Sequence, residues 1–219
     1  MNAINLLMRL FLFFLMPFCS MAQENPYESE FQAFEKADKA APPPQRPIVF
    51  TGSSSIRYWD ELSNYFPNKP VLQRGFGGSQ LSDVLHYADQ VIVQYQPKQI
   101  VLYAGENDIA TGQQTGQQVY ERLVALFEYV RRKVPDATFT FISIKPSPSR
   151  RQYFKQNDIA NRLIEAYLAK QRNTQFVDIR PVMLTKADQP VPELFKTDSL
   201  HMLPEGYQRW AKVLRPFLK

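Results

Sequence analysis

Cysteine and histidine are scarce: the 219 residues hold one cysteine, Cys19, and two histidines, His86 and His201. Cys19 lies in an N-terminal stretch that reads as a removable leader. The mature chain is therefore expected to lack disulfides, a thiolate nucleophile and cysteine-held zinc. A zinc site on three histidines is excluded, and a general-base histidine must be His86 or His201. Basic residues exceed acidic ones only mildly, 26 against 21. They cluster at Arg131-Arg132-Lys133 and Arg150-Arg151 alone. The first cluster ends an amphipathic segment, where cations suit a helix dipole. The basic stripe that phosphate neutralisation requires is missing, which argues against a nucleic-acid partner. Gly75 and Gly77 would need a third glycine at position 80 to make a dinucleotide loop, and Gln80 stands there. No Gly-x-x-x-x-Gly-Lys-Ser loop and no internal repeat occur. Neither a cofactor nor a metal is called for.

What is present is ordinary globular composition, 44% hydrophobic and 21% charged. A domain of this size buries roughly 70% of its unfolded surface and needs no staple. Residues 1–22 read as a secretory signal: Arg9, a short apolar run over Leu10–Phe18, then Ser20 and Ala22 as small residues before a cut after Ala22. The run is too short to span a bilayer comfortably. The expectation is export to the periplasm or beyond, with no stable membrane insertion after cleavage. Lipidation at Cys19 or an uncleaved anchor is the alternative; Phe18 opposes lipidation, because a small side chain is needed before the modified cysteine. Residues 23–46 are read as a helix and a Pro-rich linker, and 47–219 as the main domain. The sequence carries no signal for oligomeric state.

After a short helix over 27–40, with Phe31 and Phe34 on one side and Pro42-Pro43-Pro44 beyond it, strand and helix signals alternate. Strands are expected at Ile48–Thr51, Val71–Leu72, Ile100–Tyr103, Phe139–Ile144 and Phe176–Ile179. Helices are expected at Leu81–Tyr95, Val119–Val134, Gln152–Gln171 and Pro204–Leu218. This alternation predicts an α/β chain with a five-stranded parallel sheet covered on both faces. Ligands then sit beyond the carboxyl ends of the strands. Four polar clusters fall there: Gly52-Ser53-Ser54-Ser55, Gly75-Phe76-Gly77-Gly78, Gly105-Glu106-Asn107-Asp108, and Asp198 with His201.

Each cluster alone is ambiguous. The serines can cap a helix or supply a nucleophile at a sharp turn, and Ile56 stands where a Gly-x-Ser-x-Gly elbow needs its second glycine. The glycines allow close backbone approach, with an amide aimed at an anion. Asp198 is three residues before His201, so the carboxylate can reach Nδ1 and leave Nε2 for a hydroxyl. His86 falls inside a helical pattern and reads as structural or surface.

Together, in this order and spacing, the four clusters resemble the SGNH/GDSL hydrolases, from Ile48 to the C-terminus. Phe50–Trp59 and Ser143–Arg150 also resemble an exported bacterial branch of GDSL-like lipases and acylhydrolases. The resemblance implies a three-layer α/β/α sandwich of flavodoxin-like type. It implies Ser54 as nucleophile, His201 as base and Asp198 as its orienting acid. The oxyanion donors it implies are the Ser54 and Gly78 amides and the Asn107 side chain. The family's aspartate before the nucleophile is Ser53 here. Arg57, Glu106, Lys145 and Arg150 are the candidate substrate contacts, and Lys145 and Arg150 alternatively belong to a solvated loop. The implied activity is hydrolysis of short acyl esters of a small molecule or glycan through an acyl-serine. The alternatives are a lysophospholipase or thioesterase, or a non-catalytic glycan-binding envelope protein on the same fold.

Overall fold

The structure, a computed structural model, describes residues 25–219; the leader expected over 1–22 lies outside them. Five strands, β1 (Ile48–Gly52), β2 (Val71–Gly75), β3 (Gln99–Tyr103), β4 (Thr138–Ile142) and β5 (Thr174–Val177), form one sheet in the order β2-β1-β3-β4-β5. Every pairing is parallel. The order reverses between β1 and β3, and that switch point opens a crevice at the carboxyl edge.

Alternation along the strands divides the core. In β3, Ile100 and Leu102 point into one cluster, and Val101 and Tyr103 into the other. The first cluster is closed by α1 (Glu28–Ala40), α4 (Leu81–His86), α5 (Ala88–Val91), α7 (Gly116–Lys133) and α8 (Phe154–Leu168), which contribute Phe31, Val84, Val91, Leu123 and Ile164. The second is closed by α2 (Ser54–Arg57), α3 (Leu62–Tyr65) and α9 (Pro204–Leu214), through Ile56, Leu62 and Trp210. A short helix, α6 (Glu106–Ala110), follows β3. The result is the expected α/β/α sandwich. No helix among the described residues is long and apolar enough to cross a membrane.

Two expected helices are shorter than the periodicity implied. Leu81–Tyr95 breaks at Tyr87 and Ile92 into α4, α5 and a 3₁₀ turn, Val93–Tyr95. Tyr87 packs against Phe31 (4.7 Å) and Tyr27 (5.8 Å) and donates its hydroxyl to Asn25 (2.8 Å). Those tertiary contacts outweigh helix continuity. The last helix ends at Leu214 and tightens into a 3₁₀ turn over Arg215–Phe217, because Pro216 has no amide to continue it.

Helix α1 is fastened to the sheet rather than tethered beside it. Phe31 is buried, and Asp38 pairs with the buried Arg74 while accepting the Tyr95 hydroxyl (2.8 Å).

Candidate active site

At the end of β1, Gly52 has φ +116°, and a Cβ there would lie 1.9 Å from the Tyr103 carbonyl oxygen. Only glycine lets β1 press so closely on β3, and the Ser53 amide then donates to that same carbonyl (2.9 Å). The chain turns at once into α2, so the three serines face different ways. Ser53 and Ser55 are buried, at 3% and 2% exposure, while Ser54 is half-buried at the first helical position. The Ser53 hydroxyl makes no capping bond, so helix capping does not account for it. The Ser55 carbonyl accepts the Tyr207 hydroxyl (3.0 Å).

Ser54 Oγ lies 2.9 Å from His201 Nε2, and His201 Nδ1 lies 2.6 Å from Asp198 Oδ2. Asp198 Oδ1 accepts the amides of Leu200 and His201, both at 2.9 Å. The turn between acid and imidazole passes through Ser199 at φ +55°. That strained conformation is held from outside, because the Ser199 carbonyl accepts both the amide (3.1 Å) and hydroxyl (3.0 Å) of Ser149. A bridge between Phe195 and Met202 closes the loop below. Burial alone would raise the Asp198 carboxyl. The His201 ring and the two amides outweigh it and hold the group down to about 2. An ionised Asp198 fixes the proton on Nδ1, so Nε2 accepts the Ser54 hydroxyl. The Tyr58 ring stands edge-on to the imidazole at 4.8 Å.

Ser54, Gly78 and Asn107, the residues expected to supply oxyanion donors, follow the ends of β1, β2 and β3. The Ser54 amide opens α2. Gly78 has φ +74°, is exposed, and has open space where a side chain would be. The Asn107 carboxamide is oriented by a bond from Nδ2 to the Ser79 carbonyl (3.2 Å). Asp108, fully buried, joins these two segments by accepting the Leu81 amide (3.0 Å) and Arg122 (2.8 Å). Burial pushes its carboxyl up, against the opposing pull of Arg122 and Leu81.

The expected substrate contacts fare unequally. Arg57 is exposed, lies over the Tyr58 ring and pairs with Glu30 of α1 (3.4 Å). Arg150 is half-exposed. Glu106 and Lys145 form a buried ion pair, 5% and 1% exposed, so Lys145 does not belong to a solvated loop. Glu106 Oε2 also accepts the Tyr103 hydroxyl (2.8 Å), and Lys145 lies 5.4 Å from the Tyr103 ring centroid. Burial pulls the ammonium down against the opposing effect of Glu106. The segment is drawn inward because Asn161 of α8 bonds both the amide (2.8 Å) and carbonyl (3.1 Å) of Ile144. His86 is exposed on α4 beside Tyr87 (4.5 Å) and takes no part in these contacts. Sequence reasoning missed Glu30, whose Oε1 accepts the Gly77 amide (3.4 Å).

A sequence model described as the GDSL-like Lipase/Acylhydrolase family matches residues 44–209. No curated protein matches the chain in sequence. Among solved structures, a Streptococcus pneumonia protein provisionally named a platelet activating factor is similar at TM-score 0.76 and 24% identity, over 88% of this chain and 93% of that one. A GDSL-like lipase from Bacteroides thetaiotaomicron gives 0.68 and 21%, over 85% and 96%. A Clostridium thermocellum family 3 carbohydrate esterase gives 0.62 and 14%, over 78% and 93%. These likenesses carry the fold.

Proposed function

The chain belongs to the GDSL-like lipase/acylhydrolase family, and we propose that it is a serine esterase for short acyl esters, acetyl above all, carried by a small molecule or a glycan. The observation that carries this reading is the hydrogen-bonded chain from Ser54 through His201 to Asp198, at 2.9 and 2.6 Å. Ser54 Oγ attacks the ester carbonyl as its proton passes to His201 Nε2. The tetrahedral oxyanion is met by the Ser54 and Gly78 amides and by Asn107 Nδ2. Collapse breaks the carbon–oxygen bond of the alcohol, which leaves with the proton from His201. Water then repeats the sequence on the acyl-serine and restores Ser54. An intact set of these groups favours catalysis over a purely binding role. Purified protein tested on p-nitrophenyl esters and acetylated polysaccharides decides the matter; no turnover of any of them contradicts the reading.

The acyl preference follows from what borders the site. The connection after α6, Thr111-Gly112-Gln113-Gln114, is polar and offers no apolar cover for a long tail. In matched assays an acetyl ester is turned over faster than a palmitoyl ester, and the opposite order contradicts the assignment.

The reaction also carries an acid limb. His201 must be neutral to accept the Ser54 proton, so kcat/KM falls on the acid side once the ring is protonated. Asp198 is not the source of that limb. Its carboxyl is depressed from 3.8 to about 2, so it stays ionised in mildly acidic solution. The stability its pairing contributes is present above its unfolded value and is lost as pH falls towards 2. A profile flat from about pH 5 to 8, with the protein folded throughout, would remove His201 from the base role.

A further inference from the structure

Beyond the carboxyl ends of β4 and β5 lies a cavity of about 550 Å³, well within the range of small-molecule sites. Ile144–Pro146 form one wall, and Asp178, Arg180 and Pro181 another. β4 and β5 are two and three strands from β1, or roughly 10 and 14 Å at about 4.8 Å per strand. The cavity therefore shares the edge that holds Ser54 without overlapping the reacting atoms. The segment after Pro146 is tied to the turn between Asp198 and His201 by the two bonds of Ser149 to the Ser199 carbonyl.

The lining mixes apolar faces with hydrogen-bonding groups. Phe154 and Leu184 are half-buried, and Pro146 is buried. Asp158, Asp178 and Asp188 supply carboxylates. Arg180 is committed to Asp178 (2.8 Å) and Asp158 (3.1 Å), and Lys145 to Glu106. Both lining cations are therefore paired, and Asp188 carries a carboxylate with no ion-pair partner among the described residues, so an anionic ligand would find no free cation. A long acyl tail would strip water from those carboxylates without replacing its hydrogen bonds. In the wall, Asn157 is 4% exposed, and neither atom of its carboxamide has a partner among the described residues. Buried amides are nearly always bonded. A neutral polyhydroxy ligand satisfies the set, with hydroxyls to the carboxylates and C–H faces against Phe154 and the prolines.

We propose that this cavity is a glycan subsite, binding sugar units of the chain whose acyl group is attacked at Ser54. The inference rests on the acyl-transfer reading of Ser54 and fails separately from it. The test compares the wild type with Phe154→Ala and with Leu184→Trp, which fills the cavity. The substrates are p-nitrophenyl acetate and acetylated β-1,4-linked oligosaccharides, with the acetylated monosaccharides as references. The wild type is expected to favour an oligosaccharide over its monosaccharide. Both variants should raise KM for the oligosaccharide roughly tenfold or more while keeping p-nitrophenyl acetate turnover within about twofold. In nuclear magnetic resonance titrations of Ser54→Ala, the oligosaccharide should shift the backbone amides of Asn157 and Leu184. No preference for the longer chain, equal losses on both substrates, or unshifted amides would overturn the subsite. Absence of p-nitrophenyl acetate turnover in the wild type would instead overturn the esterase reading.

Discussion

Ser54→Ala lowers kcat on p-nitrophenyl acetate by on the order of 10⁵–10⁶-fold and leaves the folded state intact. The size of the loss follows from how such a group works. Nucleophile, base and acid act as one unit, and removing the nucleophile leaves only binding and oxyanion stabilisation. The fold survives because the Ser54 hydroxyl bonds only His201 among the described residues, and the side chain is half-buried at a helix start. Ser53→Ala and Ser55→Ala are the controls. Both side chains are buried, and the imidazole Nε2 bonds Ser54 rather than either of them. Each control retains substantial turnover. Full activity in Ser54→Ala, with the loss appearing in a neighbour, would show the nucleophile to be misassigned.

Asn107→Ala lowers kcat by about 10²–10³-fold, the effect of losing one oxyanion donor, with KM changed far less. The split matters. A donor aimed at developing charge acts in the transition state, whereas a merely structural Asn107 would act through stability. The backbone of α6 does not depend on the side chain: the Asn107 carbonyl still accepts the amides of Thr111 (2.9 Å) and Gly112 (3.0 Å). Asn107→Asp sharpens the comparison, since an ionised carboxylate of the same shape has no donor and repels the oxyanion. Its kcat falls at least as far as that of the alanine variant. Thermal midpoints and the ester kinetics, measured on the same preparations, check both expectations. A kcat unchanged in Asn107→Ala would remove it from the oxyanion set.

Much of the framework was legible because short apolar runs between proline and glycine can hardly be anything but buried strands. Ile48–Gly52 and Gln99–Tyr103 are of this kind. The polar clusters after them were then forced to the carboxyl edge, and a spacing of three brought Asp198 to His201 within one turn. What was hidden depended on contacts remote in sequence. Lys145 reads in the sequence as a cleft or loop residue and Glu106 as a substrate contact; nothing local shows that the segments after β3 and β4 bring them together as a buried pair. The break at Tyr87 was hidden for the same reason, because it follows from aromatic partners on α1.

The most direct test is to label the unmodified protein with a fluorophosphonate and map the adduct by peptide mass spectrometry. The hydrogen bond from Ser54 to His201 predicts a single stoichiometric adduct on Ser54, lost in His201→Ala. An adduct on Ser53 or Ser55, or none on a protein that still hydrolyses p-nitrophenyl acetate, would contradict it.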